Sequence, residues 1–179
     1  MYENIYRVGD SSLRLNDGRS EAPVVYIDPV RLSGNGPTAD LILVSSDHPA
    51  YCSPIDIQRI SDAGTMILAP GHAAALIGPP CQIIREYQGE VFGGMSVRAV
   101  PAYLPHRSAQ AGIYQSLGFV ISFNKHDLYY AGRTGLIPEM ERIYCDVAVL
   151  PLDPDLMTLE EAREAVRRLK PRMTIPIGY

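Results

Sequence analysis

The chain has 179 residues, 46% hydrophobic and 20% charged, with a formal net charge of −4 at pH 7. That length and balance suit one compact soluble domain, residues 1–179, large enough to bury a core. The mild acidity offers no nucleic-acid or anionic-membrane surface, and no run of about 18 apolar residues exists to cross a bilayer. The start, Met1-Tyr2-Glu3-Asn4, lacks the basic-then-apolar order of a secretion signal.

Ile5 to Val8 and Ser12 to Leu15 alternate apolar and polar residues, as half-buried strands do. Asn16-Asp17-Gly18 supplies turn chemistry before the strand Val24 to Asp28, which predicts an N-terminal hairpin or meander. Ala39 to Val44 is a nearly continuous apolar run, expected of a strand covered on both faces, and it runs out into Ser45-Ser46-Asp47-His48. Ser53-Pro54 reads as an N-cap with proline at N1, opening a short helix to about Asp62. A strand at Thr65 to Ala69 and a brief helix from Gly71 to Leu76 follow, stopped by Gly78-Pro79-Pro80.

Strand-like runs recur at Cys81–Arg85, Val97–Tyr103 and Leu117–Phe123, and Asn124-Lys125-His126-Asp127 reads as a hairpin turn into Leu128–Ala131. Asp146 to Leu152 is a strand; Thr158 and Glu161 have capping-box spacing for a helix to Lys170, which Pro171 stops; Met173 to Ile177 is the last strand. The basic residues Arg167, Arg168, Lys170 and Arg172 share their segment with Glu160, Glu161 and Glu164, the pattern of a solvated helix face. Strands with interleaved helices predict two sheets covered by outer helices. Three cysteines, Cys52, Cys81 and Cys145, without a Cys-x-x-Cys pair, read as reduced thiols of a cytoplasmic protein.

Several stretches in order carry a resemblance: Gly9 to Leu15, Tyr26-Ile27-Asp28-Pro29, Ala39 to His48, Cys52-Ser53-Pro54, Val100 to Tyr103, Tyr130 to Met140, and Ile175 to Tyr179. Together they resemble the metal-dependent hydrolase branch of the metallo-β-lactamase superfamily, the branch similar to ascorbate-6-phosphate lactonases. The resemblance implies an α/β, four-layer αββα sandwich of two mixed sheets flanked by helices. It also implies a His-x-His-x-Asp-His loop after a strand, binding one or two zinc- or manganese-like ions that make hydroxide available and polarise an ester or phosphoester oxygen.

Carried over position by position, the resemblance puts Ser46 at the first histidine, His48 at the second, Ala50 at the aspartate and Tyr51 at the histidine beside it. The middle histidine falls at Gln110, or at His106 with a shifted loop; the bridging aspartate falls at Arg133 and the final histidine at Gly178. A catalytic zinc site keeps three protein ligands plus an open position, and a guanidinium in place of a carboxylate repels a dication. The expectation is therefore no metal cofactor and no metallohydrolase mechanism.

Alternatives remain open at each residue. Arg133 either binds a small anionic ligand, with Ser46, Asp47, His48, Tyr51, His106 and Gln110 around it, or simply pairs with Asp47 or Asp153. His48 is a candidate general base, with Ser46 two residues earlier, or a relic hydrogen-bonded to backbone. Cys52 packs under the first helix, Asp28 serves the fold through an Asx-type turn, and His72 and His126 are surface residues without a recommending pair. The function expected is a ligand-binding or assembly role, in a chain that a homo-oligomer could complete. The alternative is residual hydrolysis of a small phosphorylated, ester or lactone substrate.

Overall fold

In the computed structural model, which describes residues 4–16, 22–34, 36–105 and 115–179, the apolar runs form two six-stranded mixed sheets. The sheets fall in two compact units, Met1–Ile84 and Arg85–Tyr179. The expected fold class holds: mixed sheets flanked by helices.

In the first unit the strands lie in sequence order: β1 (Ile5–Arg7), β2 (Leu13–Leu15), β3 (Val25–Ile27), β4 (Leu41–Leu43), β5 (Met66–Ala69) and β6 (Gln82–Ile83). The expected N-terminal meander pairs antiparallel, Leu13 opposite Ile27 and Leu15 opposite Val25, and from β3 onward the pairing is parallel. β3 and β4 are fully buried on both faces, as their unbroken apolar runs require. Helix α1 (Pro54–Ile60) begins as its sequence dictates: Ser53 is the N-cap and accepts the Asp56 N–H, with Pro54 in the first turn. It stops two residues short of Asp62, whose carboxylate instead accepts the Gly64 N–H at 2.8 Å in a turn of its own. Helix α2 (Gly71–Ile77) ends at Gly78 in a positive-φ conformation. Ile57 and Ile60 of α1, Ala73 and Ala74 of α2, and Tyr26, Ile42, Val44 and Ile67 from the sheet form one core cluster.

The second unit orders its strands β12 (Met173–Ile177), β11 (Val147–Pro151), β10 (His126–Tyr130), β9 (Leu117–Phe123), β8 (Met95–Pro101) and β7 (Gly89–Phe92). β7 to β10 pair antiparallel, and β10, β11 and β12 pair parallel. The β9–β10 turn is shorter than the sequence suggests. Only Asn124 and Lys125 have positive φ, 50° and 63°, the demand of a two-residue hairpin loop, and His126 and Asp127 already belong to β10. β7 was not expected from the sequence at all; Gly93 and Gly94, both at positive φ, turn it back onto β8. Helix α3 (Leu159–Leu169) has the full capping box: Thr158 accepts the Glu161 N–H, and Glu161 accepts the Thr158 N–H at 2.8 Å. It buries Ala165 and Leu169 on a cluster with Val100, Val120, Tyr129, Leu150 and Met157. The basic run is a solvated face as expected: Arg167 and Arg168 both pair with Glu164, and Arg168 also with Glu141. No helix among the described residues is long and apolar enough to cross a membrane.

Thr158→Ala removes one half of the capping box and leaves the Glu161 N–H without its side-chain acceptor. The expected cost is about 1 kcal/mol, read as a lower denaturant midpoint at unchanged slope.

Candidate functional site

In the first unit a buried carboxylate sets the geometry. Asp28 follows β3 in the left-handed region, φ 47°, and is wholly buried. Its two oxygens accept the Ser45 N–H at 2.6 Å and the Ser45 hydroxyl at 2.5 Å. Its own carbonyl accepts the Ser12 hydroxyl at 2.6 Å, and Ser12 Oγ in turn accepts the Val30 N–H at 3.0 Å. Asp28 therefore serves the fold, as expected, by bonding across to the end of β4. Gly9 closes this corner: a Cβ there would stand 2.7 Å from the Val30 carbonyl oxygen.

Beyond Ser45 the chain coils around His48. The His48 N–H donates to Ser46 Oγ at 3.3 Å, and the His48 carbonyl accepts the N–H groups of Tyr51 at 2.8 Å and Cys52 at 3.0 Å. His48 Nδ1 accepts the Ala50 N–H at 3.2 Å. A nitrogen that accepts a backbone N–H carries no proton, so the neutral ring is the Nε2–H tautomer. In that state Nδ1 has its lone pair engaged and Nε2 is a donor. Tyr51 is buried, with its ring edge-on to His48 at 6.2 Å between centroids.

His72 and His126 have partners that the sequence did not reveal. His72, in the first turn of α2, stands 3.6 Å from the nearly buried carboxylate of Asp47, and His126 stands 3.5 Å from Asp146. Asp10 lies on the surface, 3.7 Å from Arg31. All three cysteines are free thiols. Burial pushes Cys52 up to about 12, aided by the negative charges of Asp28 and Asp47, and desolvation pushes Cys81 up to about 11. Cys52 is thus a packing residue, as expected, and no thiolate nucleophile.

In the second unit Gly132, φ 67°, turns the chain out of β10 and sets Arg133 half-buried at the start of a tight loop. Thr134, fully buried, accepts the Tyr103 N–H at 3.1 Å, while the Gly135 N–H donates to the Tyr103 carbonyl at 2.9 Å. Gly135 is crowded from two sides: a Cβ there would stand 3.0 Å from the Pro105 ring and 3.3 Å from the Leu156 carbonyl oxygen. The Tyr103 hydroxyl donates to Glu139 at 2.9 Å. Neither this brace nor the Asp28–Ser45 pair was foreseen, since each joins residues distant in sequence. Gly178 has φ 74°, a backbone that disfavours any side chain. His106 and Gln110 lie outside the described residues. Among the described residues no three His, Cys, Asp or Glu side chains gather where a metal ion could be held.

Against this geometry stand the comparisons with known proteins. Residues 4–178 match the Beta-lactamase superfamily domain. A UPF0173 metal-dependent hydrolase of Pelotomaculum thermopropionicum is 43% identical over 166 residues, covering 79% of this chain and 67% of that protein. Its counterpart in Natranaerobius thermophilus is 36% identical, covering 96% and 81%. A structure named for a metal-dependent hydrolase of Parabacteroides distasonis superposes with a TM-score of 0.88 at 27% identity, covering 96% and 80%. The diiron β-hydroxylase CmlA of Streptomyces venezuelae shares the fold alone, with a TM-score of 0.77 at 14% identity, covering 97% and 44%.

Two measurements check this local chemistry. Ser45→Ala removes a hydrogen bond to a buried charged group and is expected to cost about 1.5–3 kcal/mol in chemical denaturation. The folded chain also keeps the Cys52 proton to about 12, whereas an unfolded thiol loses it near 9.0. The unfolded state binds fewer protons in that window, so stability declines as pH rises from about 9 toward 12. Cys52→Ala is expected to make that decline shallower in a pH series of denaturation midpoints.

Proposed function

The chain belongs to the metal-dependent hydrolases of the β-lactamase superfamily, and from that premise we propose that it is a diverged member that binds a small anionic ligand and does not work as a zinc-type hydrolase. The observation that carries this reading is the donor chemistry at the family's ligand positions. Ser46 offers a neutral hydroxyl, Ala50 a methyl, Tyr51 a buried phenol and Gly178 a hydrogen. His48, the histidine kept in the loop, has Nδ1 committed to the Ala50 N–H. Three strong protein donors are the minimum for a catalytic zinc, and even with His106 at the middle position this set supplies at most two. No metal-dependent step fits these residues.

Arg133 supports the anionic ligand. A guanidinium is charged at every physiological pH and presents a planar fork of donors that matches phosphate and carboxylate. The Thr134–Tyr103 hydrogen bonds hold its loop, so the charge is carried on a braced backbone. The competing reading, hydrolysis of a small phosphorylated, ester or lactone substrate, draws on the names of the relatives.

Elemental analysis of protein purified without chelator, together with thermal-shift screening of phosphates and carboxylates, separates the two. The expected result is substoichiometric metal and an anion that stabilises the wild type but not Arg133→Ala. Ligand at about 100 times Kd adds about 2.7 kcal/mol, or about 5–10 °C in Tm for a chain of this size. Stoichiometric zinc, manganese or iron with metal-dependent turnover would overturn the proposal, as would an identical ligand profile in Arg133→Ala.

A further inference from the structure

A groove of about 540 Å³ runs beside α3 in the second unit, walled by Leu159, Ala162 and Val166 from the helix and by Leu150, Leu152 and Pro176 from the sheet. With Arg163 and Arg167, the helix residues of this wall recur at i, i+3, i+4, i+7 and i+8, one continuous stripe along the 11 residues of α3. Leu159 at its head is 49% exposed. Ala162 and Val166 are half-buried, packed against the cluster that holds Ala165 and Leu169, and their outer sides border the groove with the exposed Leu159.

The strand beside the groove restricts what can cover it. β12 is the edge of its sheet. The Met173 N–H donates to the Asp146 carbonyl and the Ile177 carbonyl accepts from Leu152, so the polar groups of Met173 and Ile177 point at β11. By alternation those of Thr174 and Pro176 point at the open edge. Proline has no N–H to give there, so a further strand would find an incomplete ladder. A helix laid in the groove needs no ladder.

The charges on α3 point to which helix. Beside the stripe its first turn carries Glu160 and its last turn Arg167. We propose that this face is a homodimer interface in which two copies of α3 pack antiparallel across a twofold axis. A twofold interface must be self-complementary, and α3 is: the acidic start of one copy lies along the basic end of the other, and the helix dipoles oppose. Leu159 of one copy then sits over Val166 of the other, with the small Ala162 at the crossing. A helix of about 16 Å covers less than the roughly 1,200 Å² of a standard stable complex, so the dimer is weak and concentration-dependent. This inference stands apart from the anion-binding reading and uses none of its residues.

Sedimentation velocity of the full chain from about 1 µM to about 1 mM tests it, since a small interface dissociates in the micromolar range. Wild type is expected to shift from monomer to dimer. An acidic variant, Arg163→Glu with Arg167→Glu, and a basic variant, Glu160→Lys with Glu164→Lys, are each expected to stay monomeric alone, and their equimolar mixture to regain the dimer. Leu159→Glu, at a half-exposed position, is expected to abolish the dimer with an unchanged circular dichroism spectrum, and it stands in for a charge variant that fails to fold. A wild type that stays monomeric throughout overturns the proposal. So does a dimer that persists in the single-sign variants, or a mixture that fails to pair.

Discussion

One buried carboxylate organises the first unit. Asp28 sits where β3 ends, in a left-handed backbone that aspartate adopts more readily than most residues. Ser45 occupies the neighbouring end of β4 and satisfies both of its oxygens. Burying an ionised carboxylate is costly unless hydrogen bonds compensate it, and a backbone N–H and a hydroxyl at about 2.5–2.6 Å do so here. The consequence reaches along the chain: the residues from Ser46 to Tyr51 begin from a fixed point at the carboxyl end of parallel strands, where folds of this kind place their ligand-binding loops. Within the loop the His48 carbonyl and ring collect the next backbone N–H groups.

Much of the fold was legible because its signals are local. The Ser53-Pro54 start of α1, the Thr158–Glu161 box of α3, and the limits of β9 and β12 are written in adjacent residues. β7 was not, for a physical reason: Gly89, Glu90 and Val91 are all exposed, so no alternation marks a buried face, and only the Gly93-Gly94 pair signals the hairpin. The extent of the β9–β10 turn was overread because four polar residues look alike in sequence, while the backbone needs positive φ at only two of them.

The wiring around the residues that resemblance named was not legible in the sequence. Resemblance named Ser46, His48, Tyr51 and Arg133, yet the partners that determine their chemistry lie elsewhere. Asp47 meets His72 across a strand and a helix, Thr134 meets Tyr103 from another strand, and Asp28 meets Ser45 seventeen positions away. No periodicity carries such pairs. The tautomer of His48 is likewise set by a single backbone N–H. A fold that also serves a diiron β-hydroxylase cannot by itself say which chemistry a member performs, so these second partners hold the functional information.

The backbone at Gly178 bears on what substitution could introduce there. At φ 74° a histidine would begin with a conformational penalty of about 1–2 kcal/mol before reaching for anything. On the proposed reading, Arg133 would also have to become an acid, and Ala50 and Tyr51 donors, before the chain offered three ligands. Each change made singly gains nothing, because an ion is retained only when several donors act at once. On that reading the route to a metal site is a threshold rather than a slope, and a one-residue-at-a-time library would find no intermediate to select.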